Sequence, residues 1–352
     1  QEAKLSFHAQ NNIIYGANAE GKSNLLEAIG YLSLATSFRD GSDRQLLRWD
    51  APFFYLQGNV IGKNKMTQIA AGFDGKKKIW KIDGQAKRKL SEVLGNFYTV
   101  FFCPDDLQLV KASPQIRRRF LNREMVQLQP SFCHILNRYH KVLQQRNRLL
   151  MQGFAVDQMV LASFEEQLAE LAAEIYDHRL RFLQRMNEKV YEMHMHLSKE
   201  KEQLQMAYSS FLPQNQMKQM DQQDLKKAFL KKLKEIRPQE MKRQTTLLGP
   251  QRDDLLLFID GKNAKQFASQ GQMRTIALSL KLSELSFIEE ETGEYPALLL
   301  DDVMSELDLS RREQLLHLLD GKVQTFITTT DINFQFVRGK QFFVENGSII
   351  EK

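Results

Sequence analysis

Residues 16–23 read Gly16-Ala17-Asn18-Ala19-Glu20-Gly21-Lys22-Ser23, a complete G-x-x-x-x-G-K-S loop. The loop follows the apolar stretch Ile13-Ile14-Tyr15 and opens into Asn24 to Ser33, where Leu25, Leu26, Ile29 and Leu32 recur at helical spacing. Strand, loop and helix in that order are the setting in which such a loop cradles phosphate. Its glycines let backbone N–H groups close around anionic oxygens, and the helix N-terminus adds the positive end of its dipole. In this frame the segment Gly16 to Asn24 holds the phosphates of a nucleotide. Lys22 reaches the β/γ-phosphates, and the Ser23 hydroxyl ligates Mg²⁺.

Phosphoryl chemistry also needs a carboxylate on the metal and a group that orients water. Ala297-Leu298-Leu299-Leu300-Asp301-Asp302 reads as a buried strand with acids at its C-terminal end, where open α/β sheets bind ligands. Asp301 is the expected Mg²⁺-side acid and Asp302 the expected water-positioning carboxylate; a simple cap of the next segment is the competing role for Asp302. Many related ATPases have Glu at the second position, which reaches one methylene further, so Asp302 predicts slow hydrolysis. Roughly 280 residues separate Lys22 from Asp301, far more than a compact nucleotide-binding domain requires. Something large is inserted between two halves of one site. We place the ATPase halves at 1–112 and 245–352 and the insertion at 113–244.

A third element is Ser269-Gln270-Gly271-Gln272, which precedes the periodic run Ile276, Leu278, Leu280, Leu282, Leu285. Alone it could be an ordinary helix cap, with Ser269 as N-cap and Gly271 allowing close backbone approach. Standing about 30 residues before a strand that ends in Asp-Asp, it resembles the signature loop of ABC-type ATPases. That resemblance implies an α/β head with a mixed sheet flanked by helices, and an ATP-sandwiched homodimer. Ser269, Gly271 and Gln272 of one copy would then meet the γ-phosphate held by the other. Ser305-Glu306-Leu307-Asp308 falls where the family's D-loop lies. Gln324 to Asp331 resembles its last core strand and switch loop, with Thr330 in place of the usual switch histidine.

Further blocks narrow the resemblance. They are Ser37-Phe38-Arg39, Pro104-Asp105-Asp106-Leu107, Arg117-Arg118-Arg119-Phe120-Leu121, Gly249-Pro250-Gln251-Arg252-Asp253-Asp254 and Leu300-Asp301-Asp302-Val303-Met304-Ser305-Glu306-Leu307-Asp308. Together with the loop they make the whole chain similar to the bacterial RecF family. Gln251 stands where the family pattern has His. The chain has no initiator Met and lacks the strand with a Phe-Arg-Asn segment that the family carries before the loop, so the reading expects a trimmed start. The resemblance implies a recombination mediator of the reducing bacterial cytoplasm with weak, DNA-stimulated ATPase activity. It would bind single-stranded and gapped duplex DNA as the ATP dimer, act with RecO and RecR, and help load RecA. It also implies that Arg39 contacts ATP and that Arg252 lies near the nucleotide or a DNA-facing rim.

From about Ser113 to Arg237 the pattern turns helical. Leu168, Leu171, Ile175, Phe182, Met186, Val190, Met193 and Leu197 keep steps of three and four apart from a gap around His178-Arg179. Leu136, Tyr139, Leu143 and Leu150 do nearly the same upstream, and Gly153 to Ala162 breaks the pattern. A short antiparallel helical hairpin results, whose second arm reaches only ~60 Å at ~1.5 Å per residue. The Gln- and Met-rich stretch Glu200 to Asp224 reads as a mobile connection, and Val60 to Phe102 as antiparallel strands with a turn at Asp83-Gly84.

The formal net charge of +6 suits a polyanionic partner without establishing one. Candidate DNA contacts are Arg117, Arg118 and Arg119 at a helix start and Lys227, Lys231 and Lys232 along another helix. Lys76-Lys77-Lys78, Lys81 and Lys87-Arg88-Lys89 are further basic runs. Any such run is more often a solvated face than a binding site. No apolar run approaches the ~20 residues of a membrane span. Cys103 and Cys133 form no C-x-x-C, which fits reduced, packed thiols and speaks against a zinc-hook tether. His194 and His196 sit at i and i+2 on a predicted helix and face different ways, against a metal pair. A transporter ATPase subunit would need compact motif spacing, and an SMC-type tether far longer arms.

Overall fold

The computed structural model describes residues 2–38, 42–49, 51–63, 65–153, 157–319, 321–330 and 339–352. Two compact units emerge: Gln1–Gln108 with His196–Glu200 and Gln270–Lys352, and Leu109–Met195 with Lys201–Ser269.

The first unit begins with β1 (Asn11–Tyr15) and α1 (Lys22–Leu34), followed by β2 (Phe54–Ile61), β3 (Met66–Phe73), β4 (Lys78–Ile82), β5 (Gln85–Lys87) and β6 (Thr99–Phe102). A 3₁₀ turn, Pro104–Gln108, closes this first pass. The second unit comprises α2 (Pro114–Leu128), α3 (Phe132–Leu150), α4 (Gln158–Ser198), β7 (Leu204–Ser209), α5 (Gln214–Met217), α6 (Gln222–Arg243), β8 (Asp254–Ile259), β9 (Lys262–Asn263) and α7 (Ala264–Phe267); the last residues of α4 are assigned to the first unit. The first unit then resumes with α8 (Gln270–Thr292), β10 (Ala297–Asp301), α9 (Leu309–Leu319), β11 (Thr325–Thr329), β12 (Lys340–Glu345) and β13 (Ser348–Glu351).

Among the described residues the main sheet runs β13-β12-β1-β11-β10-β6. Its pairs are parallel except β12–β13. Every residue of β10 is buried, as expected of a parallel strand covered on both faces, and this is why Ala297 to Leu300 shows no polar alternation. Ile14, Phe101, Leu299, Phe326 and Phe342 form one core cluster with Leu26 and Ile29 of α1. The order matters for the site: β11 lies between the strand that feeds the loop and the strand that ends in Asp301.

The second sheet, β2-β3-β4-β5, is antiparallel throughout. Ile69, Ala71, Phe73, Trp80 and Ile82 point inward. Tyr31 of α1 stacks on Trp80 at 5.4 Å between ring centroids and meets Phe54 edge-on at 5.5 Å. The expected turn forms, with Asp83 and Gly84 both at positive φ (50° and 78°), the backbone that a two-residue hairpin loop requires.

In the second unit α3 and α4 make the helical hairpin, its turn lying partly outside the described residues. With 41 residues, α4 spans ~60 Å. The gap in its apolar stripe is filled by Arg179, itself only 2% exposed. Arg146 of α3 is likewise fully buried, between Glu165 at 2.9 Å and Glu240 at 2.6 Å.

The stretch Glu200 to Asp224 is not a mobile connection. Leu204, Met206 and Tyr208 are buried, and β7 pairs antiparallel along its whole length with β8. That pairing also keeps residues 245–269 with the second unit, so the compact division differs from the boundaries 113–244 read from sequence. No helix among the described residues is long and apolar enough to cross a membrane.

Candidate nucleotide site

The loop between β1 and α1 takes its shape from its glycines and from the β12–β13 turn. A Cβ on Gly16 would lie 2.2 Å from the Val344 carbonyl oxygen, so no larger residue fits. Gly21 at φ 107° forms the left-handed entry to α1, a conformation that favours glycine. The turn at Asn346-Gly347 braces the loop from outside. Gly347 N–H donates to the Glu20 carbonyl at 3.1 Å, and Asn346 N–H donates to the Glu20 carboxylate. Sequence reading assigned Glu20 to the phosphate loop; the structure gives its side chain and carbonyl to this brace.

Inside the loop the Lys22 ammonium is nearly buried and donates to the carbonyls of Gly16 (2.9 Å) and Ala17 (2.7 Å). Ser23, the next residue of α1, donates its hydroxyl to Asp301 Oδ1 at 2.6 Å. A residue that sequence reading did not single out joins them. Thr328 of β11 stands opposite both Ile14 and Asp301 in the strand register. Its hydroxyl donates to Asp301 Oδ1 at 2.9 Å and accepts from the Asp302 N–H at 2.9 Å. Thr328 thus fixes both acids from the intervening strand. The polar run Thr328-Thr329-Thr330 closes an apolar strand, but which of the three meets Asp301 is set by the strand register.

Asp302 turns the chain at φ 55° and ψ 22° as β10 ends, and its carbonyl accepts from the Ser305 hydroxyl at 2.7 Å. Partial burial pushes its carboxyl above the usual carboxylate range, with the Lys22 charge opposing that rise. A raised pKa suits a group that accepts a proton or holds water. Asn18, Ala19, Gly21, Lys22, Ser23, Asn24, Asp302 and Thr328 line a cavity of ≈ 180 Å³. Backbone donors, one ammonium, two hydroxyls and the Asp302 carboxylate line it, with Asp301 held against both hydroxyls; the set fits a nucleotide phosphate tail with a divalent cation.

Gly271 and Gln272 open α8 and are half-buried, while Ser269 immediately before the helix is exposed. Neither Gly271 nor Gln272 is among the cavity-lining residues. Thr330 is exposed just past β11, and Arg39 lies outside the described residues.

The basic candidates divide. Arg117 is 3% exposed. Its guanidinium bonds both oxygens of Asp254 (2.8 and 2.7 Å) and the Ala112 carbonyl at 2.7 Å. It is therefore an internal clamp of the second unit rather than a DNA contact, because its donors are spent. Arg118 donates to the Asp253 carbonyl at 2.6 Å. Arg119, Lys227 and Lys231 are exposed, and Lys232 pairs with Glu235 at 3.0 Å. Arg252 is exposed and donates to the Thr246 carbonyl at 3.3 Å. Gln251, the departure from the family pattern, donates to the Leu248 carbonyl at 2.9 Å and accepts from Tyr139. His194 is buried 3.6 Å from Glu202, and the described residues hold no cluster of metal-ligating side chains.

No family model matches the chain. The fold resembles the SMC head domain of Pyrococcus furiosus, with a TM-score of 0.51 at 14% identity over 99% of this chain and 91% of that one. Sheet order, loop and strand-end acids define an ABC-type P-loop ATPase head. The chain is 41% identical over 357 residues to the DNA replication and repair protein RecF of Halalkalibacterium halodurans, covering 100% of this chain and 96% of the relative. It is 40% identical over 359 residues to RecF of Bacillus subtilis, covering 99% and 96%. A solved structure described as the recombination mediator protein RecF-ATPrS in the RecFOR pathway superposes with a TM-score of 0.93 at 35% identity, covering 100% of this chain and 94% of that one. The chain belongs to the RecF family.

Proposed function

We propose that this chain is an ATP-gated DNA-binding switch of recombinational repair and replication restart in the bacterial cytoplasm. ATP would join two copies, the dimer would bind single-stranded and gapped duplex DNA, and slow hydrolysis, stimulated weakly by DNA, would reset it. The observation that carries this reading is the division of the signature residues from the cavity. Gly271 and Gln272 belong to the same unit as the phosphate loop yet do not line its cavity. A second copy supplies Ser269, Gly271 and Gln272, with Thr330 near the γ-phosphate, and the contact is reciprocal, as a two-fold interface requires. ATP stabilises such a dimer only through contacts that the monomer lacks.

Within one copy, Lys22 would hold the β/γ-phosphates and Ser23 with Asp301 would ligate Mg²⁺, which would neutralise charge on the phosphate oxygens. Asp302 orients water and takes its proton; as the shorter acid it does so slowly. Arg118, Arg119, Lys227, Lys231 and Lys232 give phosphate contacts that carry no sequence readout. RecO and RecR enter as partners because the related RecF structures are described within the RecFOR pathway; help in loading RecA enters only from the family resemblance.

Asp302→Asn tests the assignment. Single-turnover hydrolysis is expected to fall at least ~10-fold, a floor below the ~100-fold or more usual for a positioned base, while ATP-induced dimers accumulate in sedimentation. An unchanged turnover would remove Asp302 from the role.

A further inference from the structure

The start of α8 and the segment after Asp302 are bolted together within one copy, largely by one side chain. Arg311, in the first turn of α9, directs Nε and Nη2 to the Thr275 hydroxyl of α8 at 3.2 and 2.9 Å. Nη2 also lies 3.4 Å from the Gly271 carbonyl. Thr275 in turn donates to that same carbonyl at 3.1 Å and is 5% exposed. The remaining guanidinium nitrogen, Nη1, pairs with Asp308, whose other oxygen accepts the Arg311 N–H at 3.0 Å. Those two donors hold the Asp308 carboxyl below the usual carboxylate range. A second, looser tie runs from Arg274 to Glu306 at 3.5 Å. Arg311, Gly271, Thr275 and Asp308 are not among the residues that line the nucleotide cavity of their own copy.

We propose that Arg311 is a positioning residue that locks the signature loop to the 305–308 loop, so that both meet the partner copy's nucleotide as one rigid jaw. A planar fork with donors on two edges suits this task, because it fixes angle as well as distance; an ammonium fixes only distance. The inference rests on the two-copy reading above. It adds that Gly271 and Asp308 move together or not at all.

The test uses the full chain, with mant-ATP and Mg²⁺ as probe and sedimentation velocity as readout. Arg311→Ala is expected to keep the monomer's mant-ATP affinity within about twofold and to weaken the ATP-induced dimer at least ~10-fold, the loss of a charged hydrogen-bonded contact. Arg311→Lys should recover only part of that loss. Thr275→Val, which removes the acceptor without touching charge, should weaken the dimer in the same direction. The double variant should then lose little beyond Arg311→Ala, because both substitutions break one chain of contacts.

Additive losses, or full recovery by Lys, would overturn the proposal. So would a wild-type chain and an Arg311→Ala variant that dimerise alike. If the wild-type chain stays monomeric with ATP, the two-copy reading itself fails and the jaw falls with it. If Arg311→Ala does not fold, Thr275→Val and Arg311→Lys carry the same comparison.

Discussion

Two polar blocks of this chain read alike in sequence and do opposite things. The phosphate loop with Asp301-Asp302 and the block Gly249 to Asp254 with Arg117-Arg118 are both rich in charge, and each contains glycine. In the first, the polar groups border open space. Ser23 and Thr328 fix one oxygen of Asp301, and the Lys22 and Asp302 side chains line a cavity. In the second, Arg117, Asp253 and Asp254 turn inward, while Arg252 stays exposed. Arg117 takes Asp254 with both edges of its fork, while Asp253 receives the hydroxyls of Tyr208 and Ser210 and lies 3.9 Å from Arg179. A polar motif becomes a site where its groups line a cavity; where most of them bind one another inside, it is a scaffold. Buried pairs of this kind specify an arrangement more reliably than they add stability.

The contrast can be broken by substitution, and the largest effect belongs to the loop. Lys22→Met should reduce mant-ATP affinity by about 100-fold or more, since a charge-assisted contact to phosphate is lost in a sheltered cavity. An affinity within a factor of three of wild type would remove the loop from the nucleotide site.

In the scaffold block the loss should appear in stability. Arg117→Ala should cost about 2 kcal/mol in urea denaturation, because Asp254 loses its charged partner. The salt slope of DNA binding should stay unchanged. Lys231→Ala should leave stability alone and flatten that slope by about 0.9 on duplex DNA. A slope change in Arg117→Ala would put Arg117 back among the DNA contacts.

The smallest effect is a pH dependence. Burial raises the Asp253 carboxyl to about 6 against the pull of Arg179 and the two hydroxyls. The folded chain therefore holds that proton more tightly than the unfolded one. Its contribution to stability is present below the unfolded pKa near 3.8 and is lost as pH rises through about 6. Asp253→Asn should remove this falling component from urea midpoints compared between pH 4 and pH 6.5. Identical pH profiles for the two proteins would show that Asp253 does not titrate there.

Sequence patterns conveyed the first unit well because its signals are local. Strand, loop and helix are contiguous around Lys22, and the buried alternation of Ile69, Ala71 and Phe73 with the Asp83-Gly84 turn needs no distant partner. What escaped depends on partners far along the chain. Leu204, Met206 and Tyr208 alternate as a strand should, yet the pairing that makes them one lies some 50 residues on in β8, and glutamine between them reads as linker. Arg117, Arg118 and Arg119 look equivalent as a run, but helical phase sends Arg117 inward to an aspartate 137 positions away and leaves Arg119 exposed. Thr328 escaped for a similar reason. Its role arises from strand order, which places β11 between β1 and β10, and no local pattern encodes that order.

Sedimentation velocity with and without ATP·Mg²⁺, on the wild-type chain beside Ser269→Arg, tests the central claim most directly. The account predicts wild-type dimers only with ATP, and none in Ser269→Arg at the same saturating nucleotide. A variant that dimerises as readily as wild type, or a wild-type chain indifferent to ATP, would contradict it.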